Sequence, residues 1–491
     1  MILGAAALSL AQLSSSAADL PDTAPGTIAA KLFDAINGAD PKAPERFAAE
    51  FIIDEPWQMM TREKYRTMLT KLREQSGDLT AERVLMSDHR NLRLMIASAK
   101  AGKRVGLEIV LPPHETNRAA LIWIHHFPGK GADPLPQQKL DEPAQIAAIE
   151  KYLEDSARLG LHSGAALIAQ GDRILHHRAY GYAHSGDKMP NATRMQYGTA
   201  SVGKMFTSVA IAQLHQAGKI SYTDTISKFF PDYPNKTAAS NVEIRHLLEH
   251  SGGIGDPFDS PKLTNSPNYK LQSDWFETFA EKPLAFEPGA RHEYSNGGYI
   301  VLAAIVEKVS GQKFTQYLKK HIFEPAGMQH TGLTTACEKL PVSVGHAITV
   351  ANDPLGLNGP QPKKSSEVAE DGAGMGGWTS TAEDLFKFTR ALRTHKLLDQ
   401  AHTSDITSGK IKFLPPPMDI KYCYGFYEMP IAGDRLVGHS GGGGDLGIGA
   451  EVEMLWNTDY TIIILSNAGI EEARRATHTI ARFLASQASQ N

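Results

Sequence analysis

Ser201-Val202-Gly203-Lys204 sets a hydroxyl and an amine three residues apart, and side chains at that spacing share one face of a helix. The helix is read from Met205, Phe206, Val209, Ala210, Ile211 and Leu214, an apolar period closed by Gly218. A serine at that terminus lies where the helix dipole favours a developing negative charge. The pair could therefore serve as nucleophile and base. The same spacing recurs at Ser185 to Lys188, in a Ser-Gly-Asp turn, and at Ser310 to Lys313, where a helix ends. Neither opens an apolar helix. Ser201 by itself also fits an ordinary buried helix start with a solvated lysine.

Two further groups of residues could complete a site. In Glu293-Tyr294-Ser295-Asn296-Gly297-Gly298-Tyr299 a phenol and a carboxamide alternate before an apolar helix, and residues two apart in an extended segment point to one side. A tyrosine beside a lysine ammonium has its pKa drawn toward phenolate, which would make Tyr294 a proton acceptor for a serine hydroxyl. Asn296 could hold a substrate amide. The same residues also suit a plain turn or helix cap, as Tyr233-Pro234-Asn235 does. The third group is Gly438-His439-Ser440-Gly441-Gly442-Gly443-Gly444, in the first of three successive strands near the C-terminus. Glycines there would let a substrate lie along the strand and would free backbone N–H groups for an oxyanion.

The order S-x-x-K, Y-x-N, H-x-G resembles the serine β-lactamase and D-alanyl-D-alanine peptidase superfamily, in its class C β-lactamase-related branch. Supporting phrases are Ile244 to Ile254, Phe286-Glu287-Pro288-Gly289, Phe323 to Met328 and Gly376-Gly377-Trp378-Thr379. The resemblance spans residues 140–488. It implies an α+β fold: an antiparallel sheet, built from an N-terminal helix and strands together with the C-terminal strands, flanked by helices and a mostly helical region over residues 220–400. It implies that Ser201 attacks a carbonyl to form an acyl-enzyme, that Lys204 and Tyr294 share removal of its proton, and that water releases the acyl group. Asn296, His439, Gly441 and Gly442 would bind substrate. The oxyanion would lie between the N–H groups of Ser201 and Gly442. His439 stands where class C β-lactamases carry a lysine facing a substrate carboxylate. That departure favours a D-amino-acid peptidase or an esterase over a β-lactamase, and predicts that affinity for carboxylates falls as pH rises between about 5 and 8.

The rest of the chain must carry this site. Its 491 residues suggest about three structural units, with 42% hydrophobic and 21% charged residues as in a globular protein. A net charge of −4 and the lack of a basic stripe argue against a nucleic-acid partner. Scattered histidines, including the adjacent pairs His125-His126 and His176-His177, suggest no metal, and no cofactor is expected. The partner expected is a small-molecule or peptide substrate. Cys337 and Cys423 allow at most one disulfide. Residues 1–18, apolar then small, read as an export leader. No run outside the leader approaches the roughly 20 apolar residues of a membrane span. Residues 19–127 read as helices followed by an antiparallel sheet, a small α+β module weakly resembling the nuclear-transport-factor-2-like class. Residues 128–139, rich in Pro and Gly, read as a linker. A binding or sensory protein using that first module is the alternative to an enzyme.

Overall fold

The computed structural model describes residues 19–489 apart from 54–60, 88, 113–116, 120, 126–134, 137, 159–161, 185–187, 334–345, 348–354, 356–360, 363–373, 415–418 and 444–446. The expected leader, most of the expected linker and Cys337 lie outside the described residues. The chain divides into two compact units, Met1–Phe127 with Val350–Leu357, and Pro128–Thr349 with Asn358–Asn491.

In the first unit three helices, Ala24–Asn37, Ala43–Phe51 and Arg62–Gln75, precede four strands paired antiparallel in sequence order, Leu79–Ser87, Asn91–Ser98, Lys103–Val110 and Leu121–His125. Thr23 and Thr61 begin two of the helices, their hydroxyl oxygens accepting from the N–H groups of Gly26 and Lys64. Leu32, Leu69, Leu92, Leu94 and Ile109 meet in one core. Leu355 is buried in that core too, and its N–H donates to Gln75 Oε1 at 2.9 Å. The strand Leu79–Ser87 has no counterpart in the sequence reading. Register shifts between Ala81 and Arg83 and between Val84 and Met86 interrupt the two-residue period by which a strand is recognised.

The second unit is built on an eight-stranded antiparallel sheet. Its spatial order is Ile411–Leu414, Ile420–Tyr422, Tyr427–Ile431, Asp434–Gly443, Ile448–Leu455, Tyr460–Ser466, Gly164–Gln170 and Arg173–Tyr180. Both faces are buried. Ile168, Ile462 and Ile464 face one core with Ile149 and Leu153 of the helix Glu142–Arg158 and Ile480 of the C-terminal helix Ile470–Ala488. Leu167, Ile463 and Leu465 face another, with Phe206 of the serine helix Gly203–Gln216, Ile300 of the tyrosine helix Asn296–Ser310 and Phe388 of the helix Ala382–Arg393. A strand covered on both sides has no polar face, which is why Thr461-Ile462-Ile463-Ile464-Leu465 reads as a continuous apolar run. The joining of the N-terminal and C-terminal strands in one sheet, and the helices between them, match the expected fold. Among the described residues no helix is long and apolar enough to cross a membrane.

Candidate active site

Ser201 lies on a single tight turn, Ala200–Val202, that runs directly into the serine helix. Ala200 takes φ +42°, a left-handed conformation that costs a non-glycine residue about 1–3 kcal/mol and that packing must hold in place. The holding segment is Gly376-Gly377-Trp378. The N–H of Thr199 donates to Trp378 O at 2.8 Å, and a Cβ at Gly376 would lie 2.3 Å from Ala200 O. Only glycine lets that backbone pass so close to the serine turn.

Lys204 is fully buried, and its Nζ donates to Ser201 Oγ at 3.2 Å, to Asn296 Oδ1 at 2.8 Å and to Met375 O at 2.7 Å. Burial lowers its pKa to about 7, an effect the negative charge of Asp256 partly opposes. At neutral pH a substantial fraction is therefore free amine.

The Tyr294 side chain lies beside Ser201, and the Lys204 Nζ sits 4.8 Å from the centre of the Tyr294 ring. The tyrosine is 38% exposed, one of few large side chains open to solvent. Burial of its hydroxyl end pushes the phenol above its ordinary range, with only partial relief from Ser201. Against the expectation of a phenolate, burial favours the neutral phenol at Tyr294 and the neutral amine at Lys204. The exposed ring face softens that upward push but supplies no charge that would reverse it.

Asn296 is the first residue of its helix, and Ser295 caps that helix with its Oγ accepting from Gly298 N–H at 3.0 Å. The Asn296 Nδ2 donates to Asp256 Oδ2 at 2.8 Å while its Oδ1 accepts from Lys204. One amide hydrogen is left for a substrate, so the side chain works first on the lysine.

His439 lies on the strand Asp434–Gly443 and is 4% exposed. Its Nδ1 contacts Ser440 O at 2.6 Å and its Nε2 contacts Tyr422 Oη at 2.9 Å. Tyr422 Oη also lies 3.1 Å from His250 Nε2, and His250 Nδ1 accepts the N–H of Ser295 at 3.1 Å. Backbone groups at both ends settle the protons. Because His250 Nδ1 is an acceptor, its Nε2–H donates to Tyr422, whose hydroxyl donates to His439 Nε2, whose Nδ1–H donates to Ser440 O. Burial, with Lys204 nearby, lowers the His439 pKa to about 3. This corrects the second expectation: His439 is neutral and doubly engaged, so it does not titrate between pH 5 and 8.

Gly441 lies against the serine turn, where a Cβ would stand 2.0 Å from Thr199 O and 2.9 Å from Ser201 N. Gly442 is exposed, and its Cα faces Ile448 and Ile470. Ser201, Lys204, Tyr294 and Asn296 thus meet directly, Gly441 lies against the serine turn, His439 joins them through Tyr422 and His250, and Gly442 follows on the same strand. Sequence reasoning missed Asp256, His250 and Tyr422. The first two stand within or beside the phrase Ile244 to Ile254, whereas nothing local to Tyr422 distinguishes it. Elsewhere in the second unit, Glu451, Glu453 and His478 bring donor atoms within 4.8 Å of one another, with the Arg474 guanidinium 3.4 Å from Glu451 as a resident cation.

The family model described as Beta-lactamase matches residues 146–487. Penicillin-binding protein 4* of Bacillus subtilis (strain 168) is 30% identical over 316 residues, 62% of this chain and 68% of that protein. A putative D-alanyl-D-alanine carboxypeptidase of Escherichia coli (strain K12) is 31% identical over 202 residues, and the match spans 38% of this chain and 46% of that protein. The crystal structure of a penicillin binding protein from Bacillus halodurans superposes with a TM-score of 0.56 at 26% identity, covering 69% of this chain and 99% of that one.

Proposed function

This chain belongs to the β-lactamase family of serine hydrolases, and within it we propose a D-amino-acid peptidase of the penicillin-binding kind that forms an acyl-enzyme on Ser201. The observation that carries the reading is the Lys204 amine, held on Ser201 Oγ by Asn296 and Met375 and buried enough to lose its proton near neutrality. The free amine takes the hydroxyl proton as Oγ attacks the substrate carbonyl carbon. The N–H groups of Ser201 and Gly442 receive the oxyanion, each donor worth roughly 3 kcal/mol. As the tetrahedral intermediate collapses, the leaving amine collects the proton from Lys204 by way of the Tyr294 hydroxyl. Water then attacks the acyl carbon, giving a proton to the same lysine, and as the Oγ–acyl bond breaks Lys204 returns that proton to Ser201 Oγ and the acyl group leaves as the acid. Export through the 1–18 leader belongs to the same reading.

One observation favours a second reading. With His439 neutral, the strand offers no fixed positive charge to a substrate carboxylate, and an ester lacking that group would suit the cleft as well.

Intact mass spectrometry after brief exposure to a penicillin, and separately to a small activated ester, tests both. The peptidase reading expects a penicillin adduct absent from Ser201→Ala, and an ester adduct alone would select the esterase. Modification by neither would remove the catalytic reading.

A further inference from the structure

Asn296 has a carboxylate on one side and an ammonium-type nitrogen on the other. Asp256 Oδ2 accepts from Asn296 Nδ2 at 2.8 Å and from the Asn296 backbone N–H at 3.1 Å. The Lys204 Nζ donates to Asn296 Oδ1 at 2.8 Å and to Ser201 Oγ at 3.2 Å. A carboxylate only accepts hydrogen bonds and a lysine ammonium only donates, so one orientation of the amide satisfies both. Turning the amide over would set N–H against Nζ and oxygen against carboxylate. The direction of Asn296 is thus decided by Asp256.

Asp256 is itself fixed. Its Oδ1 accepts the N–H of Phe258 at 3.0 Å, and its carbonyl accepts from Lys282 Nζ at 3.2 Å. The segment before it is pressed onto the tyrosine helix, for a Cβ at Gly297 would lie 2.2 Å from Gly255 O. The half-buried carboxylate therefore has little freedom to follow a displaced amide.

We propose that Asp256 is a positioning residue for catalysis, the outer end of a line Asp256, Asn296, Lys204, Ser201 in which the carboxylate orients the amide and the amide holds the base on the nucleophile. This rests on the acyl-serine reading above. Its logic is that of a buried carboxylate orienting a catalytic imidazole, with an amide between charge and base.

The line also fixes the charge around the base. Among the described residues, the groups facing Lys204 are Ser201 on its own turn, Tyr294, Asn296 and Tyr299 of the tyrosine segment, His250 and Asp256 of the loop before it, His439 of the sheet and the Met375 carbonyl. Asp256 is the one carboxylate in that set. Its removal leaves the lysine ammonium without a counter-charge, so Lys204 should lose its proton at lower pH.

A tertiary helix cap is the competing role, since Asp256 also accepts the first N–H of the tyrosine helix. Asp256→Asn separates the two, because it keeps an oxygen for the cap and removes the charge. Steady-state kcat/KM against pH, on the full chain with an activated ester, is the measurement, with thermal unfolding of each variant beside it. The expected result for Asp256→Asn is a loss of about tenfold to a hundredfold in kcat/KM, as for small misplacements of a catalytic group, with its acid limb moved to lower pH. Asp256→Glu should keep the limb where the wild type has it while losing rate. A profile for Asp256→Asn that superimposes on the wild type, or one that falls in height without moving, would overturn the proposal. If the wild type shows no turnover that depends on Ser201, the acyl-serine reading fails instead, and the two failures cannot be confused.

Discussion

At the scale of single residues, the chemistry turns on which group is charged. Burial lowers Lys204 to about 7 and raises Tyr294, so the amine and not the phenol is ready to take a proton. A base whose pKa lies near neutrality gives a rate that climbs as it deprotonates. We expect kcat/KM for a neutral ester to rise with pH through about 7. Because His439 is held neutral by burial, Tyr422 and Ser440, His439→Gln should leave that limb in place and leave the KM of carboxylate-bearing substrates equally flat between pH 5 and 8. A KM that rises with pH in the wild type and not in the variant would return the charge to His439. The types and spacing of Ser201, Lys204, Tyr294 and Asn296 are legible in the sequence. Their protonation is not, because it depends on how much water remains around each group.

At the scale of elements, the site depends on how closely one strand crosses one helix terminus. Gly441 brings the strand Asp434–Gly443 onto the serine turn, and a methyl group there would meet Thr199 O at 2.0 Å and Ser201 N at 2.9 Å. Neither backbone atom can yield without moving Ser201. Gly441→Ala should therefore lower kcat by about a hundredfold, read by ester turnover, with the circular dichroism of the folded protein unchanged. Wild-type turnover in that variant would show that the strand stands further off. Gly203–Gln216 is visible in the sequence because its apolar period runs nearly its whole length, and Asp434–Gly443 because of its Gly-His-Ser-Gly phrase. The strand Leu79–Ser87 is not, because two bulges break its alternation, and Ile411–Leu414, Ile420–Tyr422 and Tyr427–Ile431 are only four, three and five residues long.

At the scale of the molecule, the second unit has a core on each face of its sheet, and one of them encloses charge. Glu451 and Glu453, both with no exposed surface, lie two apart on Ile448–Leu455 beside Arg474, and the Tyr427 hydroxyl donates to Glu453. Burial and the neighbouring Glu451 raise the Glu453 pKa well above its ordinary value. A folded-state pKa raised in this way means that Glu453 favours the fold below the usual carboxylate range and that this contribution is lost as pH rises toward the folded value. The loss is at most about 1.4 kcal/mol per pH unit. Glu453→Gln keeps a neutral side chain of the same shape, so the melting temperature should fall less between pH 5 and 8 than in the wild type and be higher at pH 8. Parallel melting curves for the two proteins would mean that Glu453 is already ionised.

The sequence by itself determined the family, through the order of its three motifs, and by that resemblance the sheet that joins the two ends of the second unit; it offered Ser201, Lys204, Tyr294, Asn296, His439, Gly441 and Gly442 as candidates, but not Asp256, His250 or Tyr422. Tertiary structure alone decided which of them carries a proton and who holds it there. Asp256 and Asn296 are 40 residues apart, Tyr422 and His250 are 172 apart, and their hydrogen bonds exist only once the chain has closed. Proton affinity follows from the water excluded and the charges gathered at one point in space, and neither quantity is local in the sequence.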